Sequence, residues 1–375
     1  MRNEPAPSGA LSGRRPCAPA LNVNRSVGAQ TPSLKVKGSD VCFGDAAFEG
    51  GVMRYAVVVL VAVLLLPGVA EARGGPGEGG VEVITGVAYA PADPPGSEGH
   101  LLDLYLPRGH RTKLPLVIWT QGSGWLAENG RSTAGLIAEH FNPAGFAVAG
   151  VSVRSSTNAR FPGQVLDIHA AIRFLRANAR RYGIDPHDIG VMGDSSGGWT
   201  ATMAGLTNSG VDAVVDLYGP TDFLQMDAHM IDCPLFNELF GLEDCHDDPL
   251  SPESRLVGCP IQTCPAAAQR ANPVNYVDRG EPPFLIVHGQ ADLLVPHHQS
   301  ELLYRALKRR CNEVTFYSLP RAGHSYDLLS DPALTEGQVK YASRHCRERV
   351  RTSSPPVQWD TLVAFMREHL GGHRR

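Results

Sequence analysis

Six short, unbroken apolar runs separated by helical patterns confine this chain to a sheet that is covered on both faces. The runs are Leu116–Trp119, Ala147–Val153, Ile189–Met192, Ala213–Val215, Phe284–Val287 and Val314–Leu319. Runs this short and continuous fit strands buried on both sides, as in a parallel sheet. Between them, residues 164–182 carry Val165, Ile168, Ile172, Leu175 and Ala179 at helical spacing, and Gly183 follows where a helix C′ glycine belongs. Residues 300–310 and 359–370 carry similar stripes, and 199–206 reads as a helix of small residues. Val81–Tyr89 and Leu101–Leu106 read as two further strands. The expected class is α/β, a mostly parallel sheet of about eight strands with helices on both faces. Residues 222–280 break the rhythm, with four cysteines and several prolines, and predict an insertion or cap between two sheet strands.

Upstream of these elements the composition changes twice. Residues 1–52 are rich in Gly, Pro, Ser and Ala without a helix or strand period. This predicts a disordered or non-native leader, with Met53 as the true start. Met53-Arg54-Tyr55 then precedes an apolar stretch, Ala56–Leu66, and the small-x-small ending Ala70-Glu71-Ala72. These three parts predict a signal peptide over 53–72. The stretch is shorter than the roughly 20 apolar residues a bilayer span needs, so no stable membrane anchor is expected after cleavage. The expected location is secreted or periplasmic, with residues 73–375 as the catalytic domain.

Six cysteines fall in that domain: Cys233, Cys245, Cys259, Cys264, Cys311 and Cys346. An even number in an oxidising compartment points to disulfides. Local closure favours Cys233 with Cys245, Cys259 with Cys264 and Cys311 with Cys346, although other pairings satisfy the count. No C-x-x-C or histidine spacing suggests a metal site. Thirty-four basic against 38 acidic side chains give a net charge of −4, with no basic stripe. Nucleic acid is therefore not an expected partner.

The chemistry centres on Gly193-Asp194-Ser195-Ser196-Gly197-Gly198, which follows the run Ile189–Met192 and opens the small-residue helix. This is G-x-S-x-G in a strand–turn–helix setting, where a strained turn presents the serine hydroxyl to a cleft. The glycines let neighbouring backbone pass close by. A chymotrypsin-like reading of the same letters fails, because those proteases are β-barrels in which histidine and aspartate precede serine. A serine hydroxyl needs a base, and the base needs an orienting carboxylate. Phe284–Val287 leads into a loop holding Asp292, and the next run, Val314–Leu319, leads into a loop holding His324. Both lie at strand carboxyl ends, where ligands gather in open α/β sheets. Among the 14 histidines, His288 is expected to be structural, and His297 and His298 to be solvated at a helix start. One oxyanion donor is expected from the backbone amide of Ser196, and the others from the loop after Trp119, Thr120-Gln121-Gly122-Ser123-Gly124-Trp125.

Together these residues resemble the hormone-sensitive-lipase and feruloyl/acetyl-esterase (BD-FAE-like) branch of the α/β-hydrolases. The resemblance runs from about Leu101 to Leu370. It rests on Leu102-Asp103-Leu104-Tyr105-Leu106-Pro107, Phe161-Pro162-Gly163-Gln164, Tyr182-Gly183-Ile184-Asp185-Pro186, the Ser195 motif, Tyr218-Gly219-Pro220-Thr221-Asp222, Pro282-Pro283-Phe284 with His288-Gly289, and Ala322-Gly323-His324. It implies a Ser–His–Asp triad without a cofactor, hydrolysing carboxylic esters through an acyl-enzyme. Ser195 would attack, His324 would move the proton, Asp292 would orient His324, and the amides of Ser123, Gly124 and Ser196 would bind the oxyanion. The family loop usually reads His-Gly-Gly-Gly-Trp; here Gln121 and Ser123 replace the histidine and the middle glycine. The expected partner is a small-molecule or polysaccharide-linked ester. Two other readings stay open: a prolyl-oligopeptidase-type peptidase, and a catalytically silent hydrolase fold used as a binding module.

Overall fold

The computed structural model describes residues 80–371, except 111, 208, 209, 353 and 354. The expected leader and signal peptide, 1–72, lie outside the described residues. No helix among the described residues is long and apolar enough to cross a membrane.

The sheet strands are β1 (Val81–Ala88), β2 (Leu101–Pro107), β3 (Leu114–Thr120), β4 (Ala147–Val151), β5 (Ile184–Asp194), β6 (Ala213–Leu217), β7 (Phe284–Gly289), β8 (Val314–Leu319), β9 (Val339–Arg344) and β10 (Arg347–Thr352). They form one sheet in the order β1-β2-β4-β3-β5-β6-β7-β8-β9-β10. The six strands β4-β3-β5-β6-β7-β8 are parallel, and an antiparallel pair flanks each side. The sheet thus has ten strands rather than about eight. The additions are β9 and β10, joined by His345 and Cys346 at φ 50° and 61°. Positive φ at both central residues is the hairpin geometry that matches strand twist. All six residues of β10, Arg-Glu-Arg-Val-Arg-Thr, are exposed. A charged edge strand of this kind blocks pairing with other chains and carries no apolar signal.

The described helices are α1 (Ala134–Phe141), α2 (Gly163–Ala177), α3 (Ala179–Tyr182), α4 (Ser196–Thr207), α5 (Cys233–Phe240), α6 (Pro252–Val257), α7 (Pro265–Arg270), α8 (His298–Arg309) and α9 (Trp359–His369). The single helix expected over 164–182 is two, divided at Asn178, and the second ends on Gly183 at φ 67°. The period-two alternation of a strand sorts its side chains between two cores. Leu116 and Ile118 of β3 pack with Ile168, Ile172 and Leu175 of α2 and Leu303 and Leu307 of α8. Val117 and Trp119, on the opposite face, pack with Ile137 and Phe141 of α1 and Leu362 and Met366 of α9.

Between β6 and β7 there is no strand, only α5, α6, α7 and short 3-10 turns. This segment has its own core, in which Phe223, Met226, Leu256 and Ile261 meet Trp125, Trp199 and Val295. The three favoured cysteine pairs are brought together as disulfides, with Cα separations of 5.7 Å (Cys233–Cys245), 6.3 Å (Cys259–Cys264) and 4.4 Å (Cys311–Cys346).

Candidate active site

Ser195 sits between the end of β5 and the start of α4 at φ 53°, in the left-handed region that side chains rarely adopt. Its N–H donates to the Leu217 carbonyl at 2.8 Å, and its carbonyl accepts the Trp199 N–H at 3.0 Å. The tight turn depends on its glycines. A Cβ on Gly197 would run into the Thr120 carbonyl, and one on Gly122 would meet the Ser195 Cβ at 2.6 Å. The loop after β3 therefore lies directly against the Ser195 turn.

Asp292 and His324 arrive from the ends of β7 and β8. Asp292 is fully buried. Its Oδ1 accepts the N–H groups of Leu294 and Val295 at 2.8 and 2.9 Å, and its Oδ2 lies 2.7 Å from His324 Nδ1. Burial alone would raise the Asp292 pKa. The His324 charge and bonds from His288 and His324 outweigh it and hold the carboxyl well below the usual range. His324 moves the other way: burial works against its charge, but Asp292 and then Asp194 raise its pKa. With Nδ1 engaged by Asp292, Nε2 is the nitrogen left for proton transfer. No hydrogen bond joins Ser195 to His324 among the described residues. The Tyr218 ring, whose residue directly follows the Leu217 carbonyl that holds Ser195, lies 4.6 Å from the His324 ring.

His288 is fully buried, bonded to Ser300 Oγ at 2.7 Å and the Val295 carbonyl at 3.0 Å, as a structural histidine should be. His297 departs from the expectation of solvation. Its Nε2 lies 2.9 Å from Ser318 Oγ, and burial, followed by the neighbouring His288, pushes its pKa down to about 3. Its ring packs on Phe316 of β8, a contact that position at a helix start does not announce.

The loop after β3 also differs from expectation, at one of the amides expected there as a donor. The Ser123 N–H is taken up by Ser196 Oγ at 2.9 Å, which receives the Trp125 N–H as well, at 3.3 Å. Gly124 adopts φ 59° and its amide donates to no other group among the described residues. Gln121 accepts the Ser132 hydroxyl at 2.6 Å, so the residue standing where the resemblance expects histidine ties down the loop.

Two residues escaped the sequence reading. Asp194 accepts the Gly122 N–H at 2.8 Å and a bond from the Tyr326 hydroxyl; burial pushes its pKa up to about 6. His246, in the segment between β6 and β7, places Nδ1 2.8 Å from Asp227 Oδ1 and Nε2 3.1 Å from the Leu294 carbonyl. Two acceptors require both nitrogens to carry protons. Burial opposes that charge, while Glu253 and Asp227 raise the pKa. No local pattern marks these side chains, because each acts across a long sequence separation.

A serine on a strained strand–helix turn, with an Asp–His pair arriving from the next strand ends of a mostly parallel sheet, defines an α/β-hydrolase. The BD-FAE profile matches residues 102–307, and the chain belongs to that family. The chain is 33% identical to the truncated form of a carbohydrate esterase from gut microbiota, over 67% of this chain and 92% of that one, with a TM-score of 0.56. Among curated relatives it is 29% identical to esterase LipC of Mycobacterium tuberculosis, over 61% of this chain and 57% of that protein. It is 27% identical to the probable carboxylic ester hydrolase LipM of the same organism, over 57% and 50%. The chain thus spans about half the length of these curated relatives.

Proposed function

We propose that this protein is an exported serine carboxylesterase that cleaves short acyl or aryl esters through an acyl-enzyme. The observation that carries the proposal is the 2.7 Å Asp292–His324 contact at the strand ends beside the Ser195 turn. Ser195 Oγ attacks the ester carbonyl while His324 Nε2 takes its proton. Asp292 fixes the imidazole tautomer and stabilises the imidazolium. The alcohol then leaves with that proton, and a water, activated by the same imidazole, hydrolyses the acyl-Ser195 ester. The amides of Gly124 and Ser196 hold the oxyanion. The Ser123 amide joins them when its N–H exchanges Ser196 Oγ for the developing charge. Three disulfides fit an oxidising compartment and support export.

Hydrolysis of p-nitrophenyl acetate, butyrate and longer esters by wild type and Ser195→Ala tests the proposal. Wild-type turnover that is lost in Ser195→Ala, with fluorophosphonate labelling lost in parallel, is the expected result. Equal background rates from both would establish a binding module instead, and activity confined to peptide amides would establish a peptidase.

A further inference from the structure

Beside the oxyanion loop lies a polar cleft of about 500 Å³, walled by residues 156–160 on one side and by α6 with the turn after it on the other. Each wall is tied to one of two adjacent residues of that loop. The Ser156 N–H donates to the Trp125 carbonyl at 2.7 Å, and Gly124 abuts Pro252, the first residue of α6. A bond from the Phe161 N–H to the Leu256 carbonyl, at 2.9 Å, joins the walls to each other. We propose that this cleft binds a carboxylate-bearing sugar of the polysaccharide that carries the scissile ester. The proposal rests on the esterase reading and extends it to the class of substrate.

The cleft is lined by Arg160 and Arg255 and by no carboxylate. Neither guanidinium forms an ion pair among the described residues, whereas Arg131, Arg154 and Arg344 each do. Two uncompensated cations on one cleft attract an anion, and the planar guanidinium fork matches a carboxylate. Arg160 is also positioned. Its side chain lies along Gly258, at φ 90°, so closely that a Cβ there would fall 2.7 Å from Arg160 Cδ. The Cys259–Cys264 disulfide closes the turn that carries Gly258, and Cys259 itself lines the cleft. Guanidinium groups for the carboxylate, with the exposed Thr157 and Asn158 beside them for the ring hydroxyls, suit an acidic sugar better than an acyl chain, which asks for an apolar wall.

Calorimetric titration of the full chain with unesterified trigalacturonate, set against neutral xylotriose, tests this without depending on catalysis. Trigalacturonate is expected to bind at least about tenfold more tightly than xylotriose, and Arg160→Gln/Arg255→Gln to remove that preference. The affinity should weaken with added salt, as for any partly exposed ion pair. The double variant should keep wild-type turnover of p-nitrophenyl acetate, since both side chains are exposed and neither belongs to the triad. Equal affinity for the two trisaccharides, retention of the preference in the double variant, or displacement by inorganic phosphate at matching concentration would each overturn the acidic-sugar site. A wild type inert toward p-nitrophenyl esters would defeat the esterase reading instead, and the titration would still judge the cleft.

Discussion

The Asp194 carboxylate accepts the Gly122 N–H at 2.8 Å, joining the turn that carries Ser195 to the loop after β3. The carboxyl is buried and its pKa is pushed up to about 6 by that burial, against an unfolded value near 4.

A raised carboxyl pKa makes ionised Asp194 a cost to the fold. Stability linked to this residue is therefore fullest below about pH 4 and falls as pH rises toward 6. The loss by pH 7 is about 3 kcal/mol as an order of magnitude. Asp194→Asn keeps an oxygen for Gly122 and removes the charge. Denaturant midpoints from pH 4 to 7 should show the variant gaining on wild type across that window; a constant difference would dismiss the assignment.

Asp292 should matter to rate and to pH profile in different ways. Asp292→Asn is expected to lower kcat on p-nitrophenyl acetate by about 10³–10⁴, because the amide presents the wrong partner to Nδ1. In wild type the raised His324 pKa places the acid limb of kcat/KM above that of a free imidazole, near 6.5. The limb should move to lower pH in the variant. The depressed Asp292 pKa works oppositely to Asp194 in stability. Its contribution is present above about pH 4 and lost as pH falls toward its folded value.

Ser196 Oγ receives two backbone amides, those of Ser123 and Trp125. Ser196→Ala leaves both without their acceptor, at about 1–3 kcal/mol for a buried donor. Chemical denaturation should report the loss. If the Ser123 amide turns to the oxyanion once released, kcat in the variant will fall less than the stability loss suggests. A kcat drop of the size seen for a missing oxyanion donor, about 10²–10³, would place the Ser196 hydroxyl itself in the reaction.

The Cys311–Cys346 bridge ties the end of α8 to the turn of the β9–β10 hairpin. Cys311→Ser/Cys346→Ser should cost about 2–4 kcal/mol in denaturation experiments. An unchanged midpoint would mean that the hairpin holds by strand pairing and by the contacts of Glu348 with Tyr304 and Lys308.

The six central strands were legible because burial on both faces leaves an unbroken apolar run such as Phe284–Val287. Asp292 and His324 stood out jointly, as polar residues at the ends of successive strands. What escaped was set by long-range contact. β10 alternates arginine with other exposed residues and looks like a loop. The sequence places His297 at a helix start, and only the fold brings Phe316 and Ser318 of β8 beside it. Asp194 stands inside the Ser195 motif with no role of its own in the pattern, and only the return of the β3 loop and of Tyr326 gives it partners.

The bond from His246 to the Leu294 carbonyl has a bearing on engineering. Leu294 also donates its N–H to Asp292, so the helical segment between β6 and β7 props up the very loop on which the Asp292 carboxylate is mounted. Transplanting a relative's segment to retune specificity would remove that prop along with the old contacts. A graft that retains His246 and Asp227 keeps the brace; one that discards them should yield an enzyme slowed on every ester alike.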